Sequence, residues 1–203
     1  MIDNLELIKP LLNFENEGDF YMLYILKRKK DQPEGERDNH QSVRTIRSYC
    51  IKSIEQLEKR YDEMKMMCEM FKARAYIHVQ KQNHRDVSLN MMVALAQRIQ
   101  DGNHEQQNLF DSIVGQLKTL EKRWIVDIDM KSEVVVEKIS KLINTLRPEG
   151  DKIDAIIPTK NGYHLITKRF DVMEFQKYMK LQGDVPDIQK KNPTLLYLPN
   201  SLD

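Results

Sequence analysis

A mixed α/β chain is predicted by three observations. Apolar residues recur at helical spacing in SIEQLEKRYDEMKMMCEMF (53–71), they form short strand-like runs in RWIVDIDM (123–130) and YHLIT (163–167), and turn residues separate such segments along the chain. The 203 residues, 40% of them hydrophobic, suffice for one domain or two closely associated halves around a buried core.

In chain order, NEGDFYMLYILKRKK (16–30) opens on a capping-type Asn16, spaces its apolar residues helically and ends in a basic turn, which predicts a helix. DQPEGERDNHQ (31–41), polar and aperiodic with Pro33 and Gly35, predicts a loop. VRTIRSYCI (43–51) reads as a strand. Ser53 and Gln56 then stand in capping-box spacing at the head of the helix through residue 71. ARAYIHVQ (73–80) predicts a strand, DVSLNMMVALAQRIQDG (86–102) a helix closed by Gly102, and HEQQNLFDSIVGQLKTL (104–120) one more helix.

The second half is more regular. RWIVDIDM predicts a strand, and SEVVVEKISKLINTLRPEG (132–150) a helix capped by Ser132 and stopped by Pro148 and Gly150. DAIIPT (154–159) and YHLIT flank Asn161-Gly162, a hairpin signal. FDVMEFQKYMKLQG (170–183) predicts a helix capped by Asp171, and PTLLYLP (193–199) a last strand. From residue 123 onward the order is therefore β-α-β-β-α-β, a ferredoxin-like or RRM-like unit. The chain divides into an amino-terminal α/β half, residues 1–122, and this palm-type half, residues 123–203, packed as one compact domain. In that arrangement the strands carrying Asp127 and His164 are central neighbours. Val126 and Ile128 face the helices, while Asp127, Asp129 and His164 face the open side, toward a cleft formed with the first half.

Composition narrows the function classes. With 32 Lys plus Arg against 31 Asp plus Glu, the net charge of +1 gives no global attraction to a polyanion, so any nucleic-acid site is local. Cys50 and Cys68 lie outside any CxxC or Cys/His cluster, which predicts two reduced core thiols and no structural zinc. The amino terminus lacks a basic-then-apolar signal layout and no apolar run approaches ~20 residues, so a cytoplasmic chain without a membrane segment is expected.

Chemistry concentrates in the second half. Asp127 and Asp129, two residues apart on one strand, place like charges on one face, and oxygen donors of this kind suit Mg²⁺ or Mn²⁺. The plain alternative is a solvated strand end. In PTKNGYHLITK (158–168), Gly162 lets backbone approach a ligand, Lys160 and Lys168 bring positive charge, and His164 can donate to a phosphate oxygen. Its alternative is an ordinary hairpin with an incidental histidine. His78 and His84, six positions apart, match no HxH metal pair, and KRKK (27–30) reads first as a solvated helix end, with a nucleic-acid backbone contact as the alternative. Arg74, Lys81 and Arg85 would extend a basic path beside the cleft, and the Met-rich MKMMCEM (64–70) reads as adaptable core.

VDID followed by TKNGYHLI resembles the first two motifs of the archaeo-eukaryotic primase superfamily, a resemblance covering about 80 residues. The whole chain is also similar to proteins of Bacteroidetes and their mobile elements. The primase resemblance implies that Asp127 and Asp129 bind metal and that His164, with Lys160, holds a triphosphate. For the third motif, an apolar residue followed by an acid, Asp187 in VPDIQKK is the preferred match and Asp171 in RFDV the rival. The family's frequent zinc-binding cysteines have no counterpart here.

The implied function is a metal-dependent nucleotidyltransferase of the primase-polymerase type. Its substrates would be nucleoside triphosphates and a single-stranded or primer-template nucleic acid, with a replication or mobile-element protein as a further partner. The alternatives are a catalytically inactive primase-like module that binds nucleic acid or protein, and a metal-dependent phosphodiesterase.

Overall fold

A computed structural model describes the chain except for residues 33–42, 105, 107, 118, 120, 121, 184 and 203, and the side chain of residue 30. Most of the expected 31–41 loop and part of the expected 104–120 helix lie outside the described residues. Those described form a mixed α/β fold with six α-helices and two antiparallel sheets.

The first sheet contains β1 (Ile2–Asp3), β2 (Asp19–Arg28), β3 (Val43–Ile51), β4 (Arg74–Ile77), β5 (Gln82–Asn83) and β10 (Thr194–Leu198). Their order is β1-β10-β4-β2-β3, with β5 pairing β2. The second sheet, in the order β7-β8-β6-β9, contains β6 (Trp124–Ile128), β7 (Ile153–Pro158), β8 (Tyr163–Thr167) and β9 (Asp187–Gln189). A short α1 (Leu5–Ile8) precedes α2 (Ile54–Phe71), α3 (His84–Gln100) and α4 (Leu109–Gln116), and α5 (Glu133–Thr145) and α6 (Val172–Gln182) belong to the second half.

Helix starts follow local chemistry. Ser53, Ser132 and Asp171 each cap a helix by accepting from the backbone N–H three residues on, at 3.1, 3.4 and 3.0 Å. Gln56 reaches back to accept from Lys52 N–H at 2.7 Å, and the chain leaves α3 and α6 through Gly102 and Gly183 at positive φ.

Residues 16–30 are the clearest correction: the expected helix is the strand β2. Tyr21, Leu23 and Ile25 enter the core beneath α2, while Phe20 and Met22 enter a second core with α3 and α4. Both faces are buried, so the apolar run lacks the alternation that marks a half-exposed strand. The first turn expected of the helix is instead a bend in which Asp19 Oδ2 accepts from Asn16 N–H at 2.9 Å and Gly18 has φ +85°.

The last strand is the second correction. PTLLYLP leaves the second sheet and becomes β10, between β1 and β4 of the first, and the short β9 closes the second sheet instead. A division at residue 123 therefore does not follow the sheets. The α5 and α6 helices pack on Val126, Ile128 and Leu165 through Val136, Ile139, Ile143, Phe175 and Met179. The other face of that sheet is closed rather than open, because Ile125, Ile157 and Ile166 join the core of the first half. Its Asp127 end remains accessible, the Asp127 side chain being 23% exposed. Cys68 is buried in this core, Cys50 is half-buried, and neither forms a disulfide. Among the described residues no helix is long and apolar enough to cross a membrane.

Candidate metal and phosphate site

Strand register brings the acids together. Asp127 pairs with His164 on β8 and, across its other edge, with Asp187 on β9. Cross-strand partners share a face, so the three side chains leave the sheet on the same side. Gln189 Nε2 donates to Asp127 Oδ2 and Asp187 Oδ2, both at 3.2 Å. Asp129 lies one residue past the end of β6 and is exposed. Burial raises the Asp127 carboxyl above its ordinary range, and the negative charges of Asp129 and Asp187 raise it further. Arg28 and the Gln189 hydrogen bond act in the opposite direction.

His164 is buried between the sheets. Its Nδ1 lies 2.9 Å from Thr194 Oγ1, and its Nε2 lies 3.5 Å from Asp127 Oδ1. With the proton on Nε2, the threonine hydroxyl donates to Nδ1 and the Nε2–H faces the carboxylate. Burial depresses the imidazole to about 4, so His164 is neutral at pH 7 and offers a single N–H. His78 is likewise depressed by burial to about 4. In the unfolded chain both rings return to about 6.5 and take up protons first as the pH falls. Stability is therefore full above pH ~6.5 and declines toward pH ~4, by up to roughly 3 kcal/mol for each ring. Thermal melts between pH 7.5 and 4.5 are expected to show this decline, and His78→Gln is expected to flatten it.

The hairpin loop packs against the end of β6. Thr159 N–H donates to Gly162 O at 2.8 Å, and Gly162 N–H donates to Thr159 Oγ1 at 3.1 Å. Gly162 does allow a close approach, but to the protein's own backbone: a Cβ there would lie 1.8 Å from Ile128 O. Lys160 and Asn161 thereby line the same notch as Asp127, Asp129 and His164. The opposite wall is Arg28, Arg74, Tyr76 and Leu195 of the first sheet.

That notch holds about 70 Å³, the scale of an ion and a phosphate group rather than a whole nucleotide. On the other side of Asp127, a cavity of about 370 Å³ reaches Asp187, Val135 and Met179. Among the described residues no three of His, Cys, Asp and Glu are grouped as a cage for a metal ion.

The cations are not equivalent. Arg74 is held by Asp31 in a buried bidentate pair at 2.8 and 2.6 Å. Asp31→Asn is expected to lose about 2 kcal/mol in urea unfolding, since it leaves that guanidinium short of its counter-charge. Lys160 Nζ donates to Leu202 O. Lys168 is not brought to the site: it lies past the far end of β8, 3.9 Å from Asp154 and 63% exposed. Asp171 caps α6, leaving Asp187 as the acid next to Asp127. Lys81 pairs with Asp19 at 3.2 Å.

Sequence reasoning missed Tyr76, Gln189 and Thr194. Arg28, expected within KRKK at a helix end, stands instead at the end of β2 on the notch wall. The alternation of Arg74, Tyr76 and His78 with Ala75 and Ile77 was a legible signal for a polar, aromatic strand face. No protein-family model matches the chain, and neither does any curated protein or solved structure.

Proposed function

We propose that the chain is a metal-dependent nucleotidyltransferase of the primase-polymerase type. The observation that carries this reading is the placing of Asp127 between His164 and Asp187, with Asp129 two residues on and the Asp127 carboxyl raised by burial and then by its acidic neighbours. A half-buried carboxylate among like charges is costly to the fold and is the arrangement a divalent cation relieves. The strand order β7-β8-β6-β9, with Val126 and Ile128 under α5 and α6, supports the ferredoxin-like reading of this half.

The donor set fits Mg²⁺ or Mn²⁺. Both are hard ions, and Mg²⁺ usually takes one or two carboxylates and completes its shell with water and substrate phosphate, so a protein cage of three ligands is not required. Asp127 and Asp129 would hold the ion, with Asp187 within reach through the Gln189 bridge. A bound ion would neutralise charge on the oxygens of the transferred phosphoryl group. His164, neutral and fixed by Thr194, presents its N–H at this spot, and Lys160 adds positive charge on the notch wall. The residues thereby position and stabilise charge, the main protein contribution to phosphoryl transfer. The setting of this reading is cytoplasmic.

One observation favours a second reading, a binding module without catalysis. Of the three groups expected to hold phosphates, Lys168 lies away from the notch and Lys160 is engaged by Leu202. Calorimetric titration of a nucleoside triphosphate with Mn²⁺, on the wild type and on Asp127→Asn/Asp129→Asn, separates the two. Heat that needs both the ion and the aspartates is the expected result. Absence of binding in both proteins would overturn the catalytic reading.

A further inference from the structure

A row of rings on the first sheet runs away from the notch. Arg74, Tyr76 and His78 alternate with the buried Ala75 and Ile77 and therefore share one face. Tyr24 of β2 is in register with Tyr76, and its ring meets His78 edge-on with centroids 5.7 Å apart. Beyond them a cavity of about 300 Å³ is lined by Met22, Tyr24, His78, Gln80, Asp111 and Lys191, among others. Tyr76 faces the Asp127 notch beside Arg28. The two cavities thus occupy opposite ends of one sheet face with the tyrosine pair between them. From Arg74 to Gln80 the chain spans at most roughly 20 Å at about 3.3 Å per residue.

We propose that this face binds a single strand of nucleic acid, its unpaired bases against Tyr76, Tyr24 and His78 and its backbone passing Arg28 at one end and Lys191 at the other. The proposal deepens the nucleotidyl-transfer reading, and rests on it for the idea that the strand leads to Asp127.

Three features select this occupant. The floor is aromatic and the cations stand at its two ends, the combination of stacking platform and backbone contact that single strands use. The Arg28 side chain makes no hydrogen bond or ion pair among the described residues, although its charge reaches Asp127 and His164, and Lys191, though it donates to Gly115 O at 2.7 Å, brings its charge to the far rim. The acid on this floor, Asp111, is faced by the Tyr24 hydroxyl, which donates to it at 3.5 Å. The His78 imidazole, kept neutral by burial, makes no side-chain hydrogen bond among the described residues, so it can both stack and donate or accept at a base edge. An extended peptide is disfavoured, because β2 and β4 are each paired along both edges and offer no free strand edge to extend.

The test is fluorescence anisotropy with labelled oligothymidylate and oligouridylate of ~10 nucleotides in the presence of chelator. The wild type is compared with Tyr76→Leu, which keeps apolar bulk without a ring, and with Tyr76→Phe, which keeps the ring. Circular dichroism checks that each variant folds. Binding of either oligomer, weakened roughly tenfold in Tyr76→Leu and restored in Tyr76→Phe, is the expected result. No binding by the wild type, or equal binding by the folded Tyr76→Leu variant, overturns the proposal. Because chelator is present, the result does not depend on Asp127. Oligomer binding that follows Tyr76 without any Mn²⁺-nucleotide heat would sink the catalytic reading and leave the groove standing; the converse would sink the groove alone.

Discussion

Asp127→Asn is expected to abolish metal-dependent nucleotide binding while raising the melting temperature of the metal-free protein. Asparagine has the shape of aspartate, and its carbonyl oxygen can still accept from Gln189, so the β6–β9 contact survives. The negative charge is what is lost. In the wild type that charge is half-buried and repelled by Asp129 and Asp187, which raises its carboxyl and makes ionisation unfavourable to the fold. The sign follows from linkage. A carboxyl whose folded pKa is raised adds no penalty where folded and unfolded chains are both protonated, and its full penalty where both are ionised. The gain in the variant should therefore be complete at pH 7, on the order of 1 kcal/mol, and fade as the pH falls through the carboxylate range. Calorimetric melts with chelator at pH 7 and pH 4 measure it. A variant that melts lower than the wild type at pH 7 would mean that Asp127 is a structural partner of His164 or Gln189 instead of a strained ligand.

Gly162→Ala is expected to cost about 3 kcal/mol or more and to displace the site with it. The added Cβ would stand 1.8 Å from Ile128 O and 2.7 Å from Met130 N, both backbone atoms, so no side-chain rotation relieves the clash. The hairpin must move off the end of β6, carrying Lys160 and Asn161 away from Asp129. Gly115→Ala is the control. It lies within α4 with nothing inside 4 Å of its Cβ position, so alanine there should be neutral or stabilise by about 0.5–1 kcal/mol. Urea unfolding of the two variants measures the contrast. Equal midpoints would show that the loop yields freely and does not brace the aspartates.

The conformation at Gly162 also marks the limit of local reading. Asn161-Gly162 signalled a turn, and a turn is there, but the chain closes through Thr159 to Gly162. Glycine is required by a strand more than thirty positions earlier, which no short window can register. Residues 16–30 were lost for a related reason. A strand buried on both faces has no alternation to display, and β2 is buried by α2 on one side and by α3 and α4 on the other. That one misreading also put Arg28 at a helix end rather than at the end of β2. PTLLYLP was rightly expected to be a strand, but the sheet it would join depended on the edge left free beside β4.

Capping and patterning were decided by neighbours a few residues apart. Ser53, Ser132 and Asp171 therefore announced their helices, Val126 and Ile128 their helix-covered face, and the DxD spacing a concentration of negative charge, all from sequence alone. What only the tertiary structure decided is which distant groups meet that charge. Register put His164 and Asp187 on either side of Asp127, sheet packing buried the imidazole and made it neutral, and the first sheet supplied Arg28 and Tyr76 across the notch. Such encounters depend on strand pairing and on the desolvation it brings, and both are properties of the assembled fold that no segment carries by itself.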